Sequence, residues 1–224
     1  SGCDHAEWIQ IMGQHGIGLI PKSDFEILDD WRVAGLRGTG SKSVIIKDTF
    51  IPPHRFLPFE ITREGKAPGA LINDNPYQRA PLVMTLNQVL LSAAVGMAKG
   101  VSELFESRVG KRMDLHTGKP SSEGAGAQLR FAESSAEIDV AEMLLMSNCA
   151  TLEKWGRTGH ITDVMDRVTM RRNTTYAAKI AVQAVLRLTT QGDASGMFDV
   201  NPIGRMARDI QMAALQASLT WDEP

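Results

Sequence analysis

The sequence predicts an α+β protein in which a β-rich segment precedes an antiparallel bundle of four helices. Residues 1–60 contain glycine, proline, aromatic and β-branched residues in short runs, which is typical of strands joined by turns. Residues 80–221 contain alanine, leucine, methionine and glutamate at helical spacing, and breaks rather than strands separate these helical patterns. We therefore predict a β domain over residues 1–62, a linker over 63–79 and a helical domain over 80–224.

The β-rich segment contains two places where short strands are expected. Residues 9–13 and 17–20 are apolar runs on either side of a turn, so they predict a strand pair. Trp31 with Val33, and then residues 44–46, predict two further strands joined by a glycine-rich connection.

The connection from Gly35 to Ser41 combines glycines with hydroxyl and cationic side chains, a chemistry that suits a polar ligand. The P-loop pattern fails because Ser41 stands where that motif requires lysine, and residues 42–50 predict a strand where it requires a helix. The dinucleotide pattern fails as well, since Ser43 replaces its third glycine. An ordinary hairpin connection and a ligand-binding loop both stay open on these residues alone.

Four helices are predicted, over residues 82–108, 127–155, 161–190 and 203–221. The first is apolar almost all round, which indicates a buried helix, and Gln88 with its polar neighbours argues against a membrane span. The second carries an apolar stripe that Ile138 and Leu145 widen. The residues expected on that stripe are Leu129, Ala132, Ala136, Val140 and Leu144.

The composition excludes several function classes. The 224 residues carry a formal net charge of −2, so neither a nucleic acid nor a membrane surface is an expected partner. Two cysteines without a CxxC pair cannot form a zinc site, and they favour a reduced, cytoplasmic protein. The chain begins with Ser1 rather than methionine, so we expect it to be a piece of a longer protein.

A cluster of carboxylates on the second predicted helix raises the question of a di-metal site. Such sites in helix bundles need Glu-x-x-His pairs, and this chain has none. We interpret the carboxylates as a solvated helix face and predict no metal site. They are Glu133, Glu137, Asp139 and Glu142.

Ser1, Asp4 and His5 stand close together in the opening segment, as the members of a hydrolase triad would. No Gly-x-Ser-x-Gly elbow is present to expose a serine nucleophile, which argues against that chemistry. His5 is the better candidate for a general acid or base, because imidazole titrates near neutral pH. A histidine that only stabilises a turn stays open as the alternative.

Four segments together resemble one family: SGCDHAEW at residues 1–8, DDWRVAGLRGTGSKSV at 29–44, FIPPHR at 50–55 and NPIGRMARDIQ at 201–211. They are similar to the acyl-CoA dehydrogenase-fold oxygenase components of two-component flavin-dependent monooxygenases, such as 4-hydroxyphenylacetate, seco-steroid phenol and dibenzothiophene oxygenases. The resemblance implies a partial β-barrel middle domain followed by a C-terminal antiparallel four-helix bundle. It also implies a homotetramer, built as a dimer of dimers.

The same resemblance implies an enzyme, with a small aromatic substrate and O2. A separate flavin reductase supplies reduced flavin, FMNH2 or FADH2, and a flavin C4a-hydroperoxide hydroxylates the substrate. Two other functions stay open. One is an acyl-CoA dehydrogenase that oxidises a thioester with bound FAD, and the other is a non-catalytic helical oligomerisation fragment.

The resemblance also assigns roles to individual residues. Ser1 is similar to the hydroxyl that faces flavin N5, and His5 lies in the substrate-side motif, so these two are the expected catalytic residues. The expected cofactor-binding residues are Ser1, Trp31, Arg37, Thr39, Ser41, Arg130, Gln191, Gly192 and Ser195. Many of these monooxygenases have a histidine where this chain has Gln216, and glutamine cannot carry a proton at neutral pH. Either His5 does the acid/base work, or the chemistry differs from phenol hydroxylation.

Overall fold

The computed structural model describes residues 2–109, 111, 113, 118–190 and 200–221, and the chain forms two compact units. The first unit comprises Ser1–Thr85 and Leu152–Asp163, and the second comprises Leu86–Thr151 and Val164–Pro224. The first contains two small sheets, and the second is helical. The predicted division into a domain over 1–62, a linker and a domain over 80–224 stays a prediction.

Five short strands form the two sheets of the first unit. They are β1 (Trp8–Met12), β2 (Gly16–Pro21), β3 (Phe25–Ile27), β4 (Val44–Ile46) and β5 (Phe56–Pro58). One antiparallel sheet has the order β1-β2-β5, and β3 pairs with β4 in the other. Gly16 lies where β2 meets β5, and a Cβ there would collide with the backbone of Leu57, so this pairing requires glycine. The strand pair predicted from residues 9–13 and 17–20 is therefore confirmed.

The predicted strand at Trp31 and Val33 is wrong, because the partner of β4 is β3. The reason lies in Asp30. Its Oδ1 accepts the backbone N–H of Ser43 at 3.0 Å, so a side chain takes the place of the next partner in the ladder. The backbone after Asp30 consequently leaves the sheet and enters the glycine-rich connection.

Six helices lie within the described residues. They are α1 (Phe59–Arg63), α2 (Pro68–Ile72), α3 (Leu82–Val109), α4 (Ala125–Thr158), α5 (Val164–Thr189) and α6 (Pro202–Ala214). The four long helices predicted from the sequence are confirmed as elements, but the last ends earlier than predicted. Gln216 causes this end, because its carbonyl accepts Leu219 N–H at 2.8 Å and its side-chain Oε1 accepts Ser218 N–H at 2.6 Å.

The apolar core of the second unit takes residues from α3, α4, α5 and α6. Its side chains with almost no exposed surface include Leu91, Val101, Ala141, Val185, Leu188 and Ile210. Of the described helices, α3 is long and apolar enough to cross a membrane by length and composition, and 33% of its most apolar window is buried. Since Leu91 and Val101 of α3 lie in the core, that composition also fits a core helix.

The stripe predicted to face the core from α4 is largely wrong. In the single chain Leu129 is 70% exposed and Val140 is 43% exposed. The buried side instead runs through Ser134, Ile138, Ala141, Leu145 and Asn148. Helix α4 has apolar residues on both sides, so periodicity cannot choose between them. The buried side is the one whose polar residues find partners on other helices.

A buried polar network joins α3, α4 and α5. Gln88 Nε2 donates to Thr174 Oγ1 at 2.9 Å, and Asn148 Nδ2 donates to Gln88 Oε1 at 3.1 Å and to Thr174 Oγ1 at 3.2 Å. Gln88, Asn148 and Thr174 are 4%, 2% and 1% exposed, respectively. Because a buried polar group without a partner is costly, the network favours one axial alignment of the three helices.

Candidate functional site

The N-terminal segment, residues 2–5, lies against the connection between β3 and β4. The backbone N–H of Gly2 donates to Thr39 O at 3.3 Å, and Sγ of the buried Cys3 lies 4.0 Å from Gly40 O. His5 follows in the same short turn, where its N–H donates to Gly2 O at 3.1 Å, and its side chain is exposed. Two stretches that are far apart in sequence are thereby brought together.

The hydroxyl loop, residues 36–41, has a strained backbone. Leu36 and Gly40 both adopt the left-handed conformation, with φ of 51° and 52°. A non-glycine residue in this region is uncommon and is retained where the surroundings hold it there. Here the Leu36 carbonyl accepts hydrogen bonds from Trp31 Nε1 at 3.2 Å and from Thr39 Oγ1 at 2.9 Å. The strained residue therefore binds the side chains of Trp31 and Thr39.

The hydroxyls of the loop form a short chain. Thr39 Oγ1 lies 3.0 Å from Ser41 Oγ. Since Thr39 has one hydroxyl proton and donates it to Leu36 O, Ser41 is the donor in this contact. The loop therefore presents two half-buried hydroxyl oxygens beside the N-terminal segment.

Arg37 and Trp31 border an open cleft of about 500 Å³ in the first unit. Its lining residues are Trp31, Arg32, Val33, Ala34 and Arg37. Arg37 Nε donates to Val33 O at 2.8 Å, so the exposed guanidinium is tied to another residue that lines the cleft. An aromatic face and a guanidinium are suitable partners for a planar ring and an anionic group.

Lys42 directly follows the hydroxyl loop and lies between two carboxylates. Its Nζ is 3.2 Å from Asp4 Oδ2 and 3.2 Å from Asp29 Oδ1. Hydrogen bonds, first to Asp29 and then to Asp4, raise the pKa of Lys42, so it is charged at neutral pH. Next to it, the hydroxyl and then the backbone N–H of Ser43 lower the pKa of Asp30.

Arg130 lies on α4 in the helical unit. Its Nε is buried, and among the residues that the structure describes none offers this atom a hydrogen bond. Gly126, one turn earlier, leaves room for the side chain, because a Cβ there would lie 3.1 Å from Arg130 Nη1. An orphaned buried donor on a cationic group is the feature expected where an anionic ligand binds.

The model of one protein family, described as acyl-CoA dehydrogenase, C-terminal domain, matches residues 89–221. The chain belongs to this family. Its acyl-CoA dehydrogenase-like fold is helix-rich with small sheets.

Several proteins to which the chain is similar are named as oxygenases. The chain is 32% identical to the oxygenase subunit HsaA of a flavin-dependent monooxygenase from Mycobacterium tuberculosis, over 97% of this chain and 58% of that protein. It is 30% identical to the oxygenase component of an FADH2-dependent resorcinol hydroxylase from Rhizobium, over 99% of this chain and 59% of that protein. The crystal structure of 3-HSA hydroxylase from Rhodococcus superposes with a TM-score of 0.87 at 30% identity, covering 98% of this chain and 59% of that one. The resemblance predicted from the four sequence segments is confirmed.

The chain therefore spans somewhat more than half the length of the curated relatives that it matches. Four of the predicted site residues lie outside the described residues, so their placement stays a prediction: Ser1, Gln191, Gly192 and Ser195. Gln216 is described, and it is exposed and uses its side chain to cap the turn after α6.

Three of the four carboxylates considered for a metal site, Glu133, Glu137 and Glu142, pair with cations instead. Arg187 and Glu137 form a bidentate pair with N–O distances of 2.6 and 2.9 Å, and Lys99 Nζ lies 2.8 Å from Glu142. The Glu137 side chain is 24% exposed, so this part of the helix face is less solvated than we predicted. Within the described ranges, no group of three or more His, Cys, Asp or Glu residues is placed to hold a metal ion.

Sequence reasoning missed two features of this family member. One is the pairing of Lys42 with Asp4 and Asp29, because the three residues are separated in sequence. The other is the network of Gln88 and Asn148 in the helical core. The available signal was Asn148, a polar residue in register with the buried side of α4. We did not recognise this signal because we had predicted that a different side of α4 is buried.

Proposed function

We propose that this chain is part of the oxygenase component of a flavin-dependent monooxygenase that hydroxylates a small aromatic molecule. The observation that carries the proposal is the N-terminal segment held against the hydroxyl loop, which places the motif of His5 beside Thr39. Relatives at 32% and 30% identity are named as such oxygenase components, which supports the proposal. A separate reductase would supply the reduced flavin, and O2 would be the second substrate.

The residues present fit a flavin. Arg130 has a buried donor that lacks a described partner, which suits a phosphate oxygen. Thr39 and Ser41 offer hydroxyls, and Trp31 with Arg37 borders a cleft that suits a planar ring. Reduced flavin, FMNH2 or FADH2, supplies the activation of O2 and the transfer of one oxygen atom when it is bound. The name of the resorcinol hydroxylase favours FADH2.

The proposed roles of the protein groups follow from their chemistry. Trp31 excludes water from one side of the cleft, which protects a reactive species from hydrolysis and stray protons. Thr39 and Ser41 orient the cofactor through hydrogen bonds. His5 is the proposed general acid or base, a task that Gln216 cannot perform because an amide does not exchange a proton in this way. Ser1, Gln191, Gly192 and Ser195 complete the proposed set.

We further propose a homotetramer and the finer architecture of a partial β-barrel followed by an antiparallel four-helix bundle. The outward side of α4 supports the assembly, because Leu129, Met143 and Met146 are 70%, 69% and 60% exposed in the single chain. The apolar core shared by α3, α4, α5 and α6 supports the bundle. Neither Cys3 nor Cys149 forms a disulfide, which fits the cytoplasmic location that we propose. Sedimentation equilibrium of the complete protein measures the subunit number.

Arg130→Ala in the complete protein tests the cofactor site. We expect the Kd for reduced flavin, titrated without oxygen, to rise about 10- to 100-fold, because a charge-assisted hydrogen bond contributes about 1.5–3 kcal/mol. Arg157→Ala is the matched control, since Arg157 lies on the same helix and pairs with Glu153 at 2.6 Å. Equal Kd values for the two variants would remove Arg130 from the site. Reduction of bound FAD by an acyl-CoA, without hydroxylation, would favour a dehydrogenase instead.

A further inference from the structure

The charge cluster around Lys42 joins two segments that carry different parts of the candidate site. Lys42 Nζ lies 3.2 Å from both carboxylate oxygens of Asp4 and 3.2 Å from one of Asp29. Asp4 immediately precedes His5, and Asp29 lies two residues before Trp31. The ammonium group of Lys42 therefore pairs with Asp4, next to His5, and with Asp29, close to Trp31. His5 and Trp31 are the two residues that we propose act at the reacting centre.

We propose that Lys42 is a positioning residue that holds the segments of His5 and Trp31 in register with the hydroxyl loop, an inference that rests on the proposed oxygenase function. In this proposal Lys42 has no direct contact with substrate or cofactor. It acts through Asp4 and Asp29.

The geometry makes the charge of Lys42 important. Its side chain is 22% exposed, against 39% for Asp4 and 78% for Asp29, so the pair with Asp4 is the better shielded from solvent. Without the ammonium group, two carboxylates would face each other and repel. Removal of the Lys42 charge therefore replaces two attractive ion pairs by repulsion between Asp4 and Asp29.

Other polar contacts also hold the N-terminal segment. Gly2 N–H reaches Thr39 O at 3.3 Å, Cys3 Sγ reaches Gly40 O at 4.0 Å, and Lys22 Nζ reaches Cys3 O at 3.4 Å. None of these three contacts joins two opposite charges, whereas the contact between Lys42 and Asp4 does. Loss of the Lys42 charge therefore weakens a contact that ties the residue directly before His5 to the end of the hydroxyl loop.

Cys3 provides a readout that needs no flavin. Its side chain is 5% exposed and stands directly before Asp4, so an alkylating reagent reaches it when the N-terminal segment opens. The rate of Cys3 alkylation by iodoacetamide, followed by peptide mass spectrometry on the complete protein, therefore measures how firmly the segment is held. A second readout is the fraction of reduced flavin that yields hydroxylated product rather than hydrogen peroxide.

Three variants separate positioning from general stability. Lys42→Met removes the charge at similar length, Lys42→Arg keeps the charge, and Lys47→Met removes an exposed lysine just beyond β4. We expect Lys42→Met to raise the alkylation rate of Cys3 about fivefold at low salt and to lower the coupled fraction about tenfold. Lys42→Arg should restore both values to within about twofold of the wild type, and Lys47→Met should match the wild type.

The inference is overturned if Lys42→Met and Lys47→Met give the same Cys3 alkylation rate. It is also overturned if Cys3 reacts faster in Lys42→Met while the coupled fraction stays at the wild-type value, because Lys42 would then be structural alone. A wild-type protein that hydroxylates no aromatic compound would contradict the proposed function. In that case the alkylation rates still show whether Lys42 holds the segment.

Discussion

Substitution of Thr174 by valine tests the buried network that aligns α3, α4 and α5. Valine has nearly the same shape as threonine, so the change removes a hydroxyl without opening a cavity. Thr174 Oγ1 accepts from Gln88 Nε2 at 2.9 Å and from Asn148 Nδ2 at 3.2 Å, and it donates to Met170 O at 2.8 Å. All of these bonds disappear in Thr174→Val.

The cost follows from which groups lose a partner. Gln88 Nε2 loses its acceptor at 2.9 Å, whereas Asn148 Nδ2 keeps Gln88 Oε1 at 3.1 Å. Because Thr174 is 1% exposed, water does not replace the lost acceptor readily. Loss of the partner of one buried donor costs about 1–3 kcal/mol, so we expect the free energy of unfolding to fall by about 2 kcal/mol. For a chain of this size that corresponds to a decrease in Tm of about 4–8 °C.

Thr175→Val is the matched control because it makes the same change one residue later. Thr175 is 3% exposed, but its hydroxyl bonds to Arg171 O at 2.9 Å, within its own helix. We expect that variant to change stability by about 0.5 kcal/mol or less. Urea unfolding followed by circular dichroism measures both variants. Two variants that lose the same stability would show that the network contributes nothing beyond an ordinary helix hydroxyl.

Two glycine substitutions test the backbone of the first unit. Gly40→Ala should lower the free energy of unfolding by about 1–2 kcal/mol, because Gly40 has φ of 52° and an L-residue is strained there. Gly38→Ala is the control in the same loop, because Gly38 has no positive φ and its new Cβ would lie in open space. This control should change the free energy of unfolding little. If both variants lose the same stability, backbone strain at Gly40 is not the cause. Gly156→Ala should cost about 3 kcal/mol or more, since its Cβ would collide with the backbone of Pro76. Gly96→Ala on α3 is the control for Gly156→Ala, because no atom lies within 4 Å of the new methyl group. We expect Gly96→Ala to raise the free energy of unfolding by about 0.5–1 kcal/mol. Thermal unfolding of all four variants measures these changes in stability.

Several elements could be predicted because their signals are local. The strands β1 and β2 follow from apolar runs around a turn, and the four long helices follow from helical periodicity. The glycines and hydroxyls of residues 36–41 already indicated a loop suited to a polar ligand. Family membership was also accessible, since the motifs around His5 and Trp31 are short contiguous segments.

Other features could not be predicted because they depend on contacts between distant residues. The partner of β4 was decided by Asp30, whose carboxylate accepts Ser43 N–H at 3.0 Å and ends the ladder. The buried side of α4 was decided by Asn148, which finds partners on α3 and α5. Periodicity shows that a helix has an apolar side, but with two candidate sides it does not say which is buried.

By itself, then, the amino-acid sequence determined the first strand pair, the order of the four long helices, the presence of a polar glycine-rich loop and the family. Those properties depend on spacing and on contiguous motifs, which a chain carries before it folds. The tertiary structure alone decided that Lys42 bonds Asp4 and Asp29, and that the Nε of Arg130 is buried beside Gly126 without a described partner. Such properties arise when folding brings separated residues together and removes water from them, and the proposed chemistry depends on both.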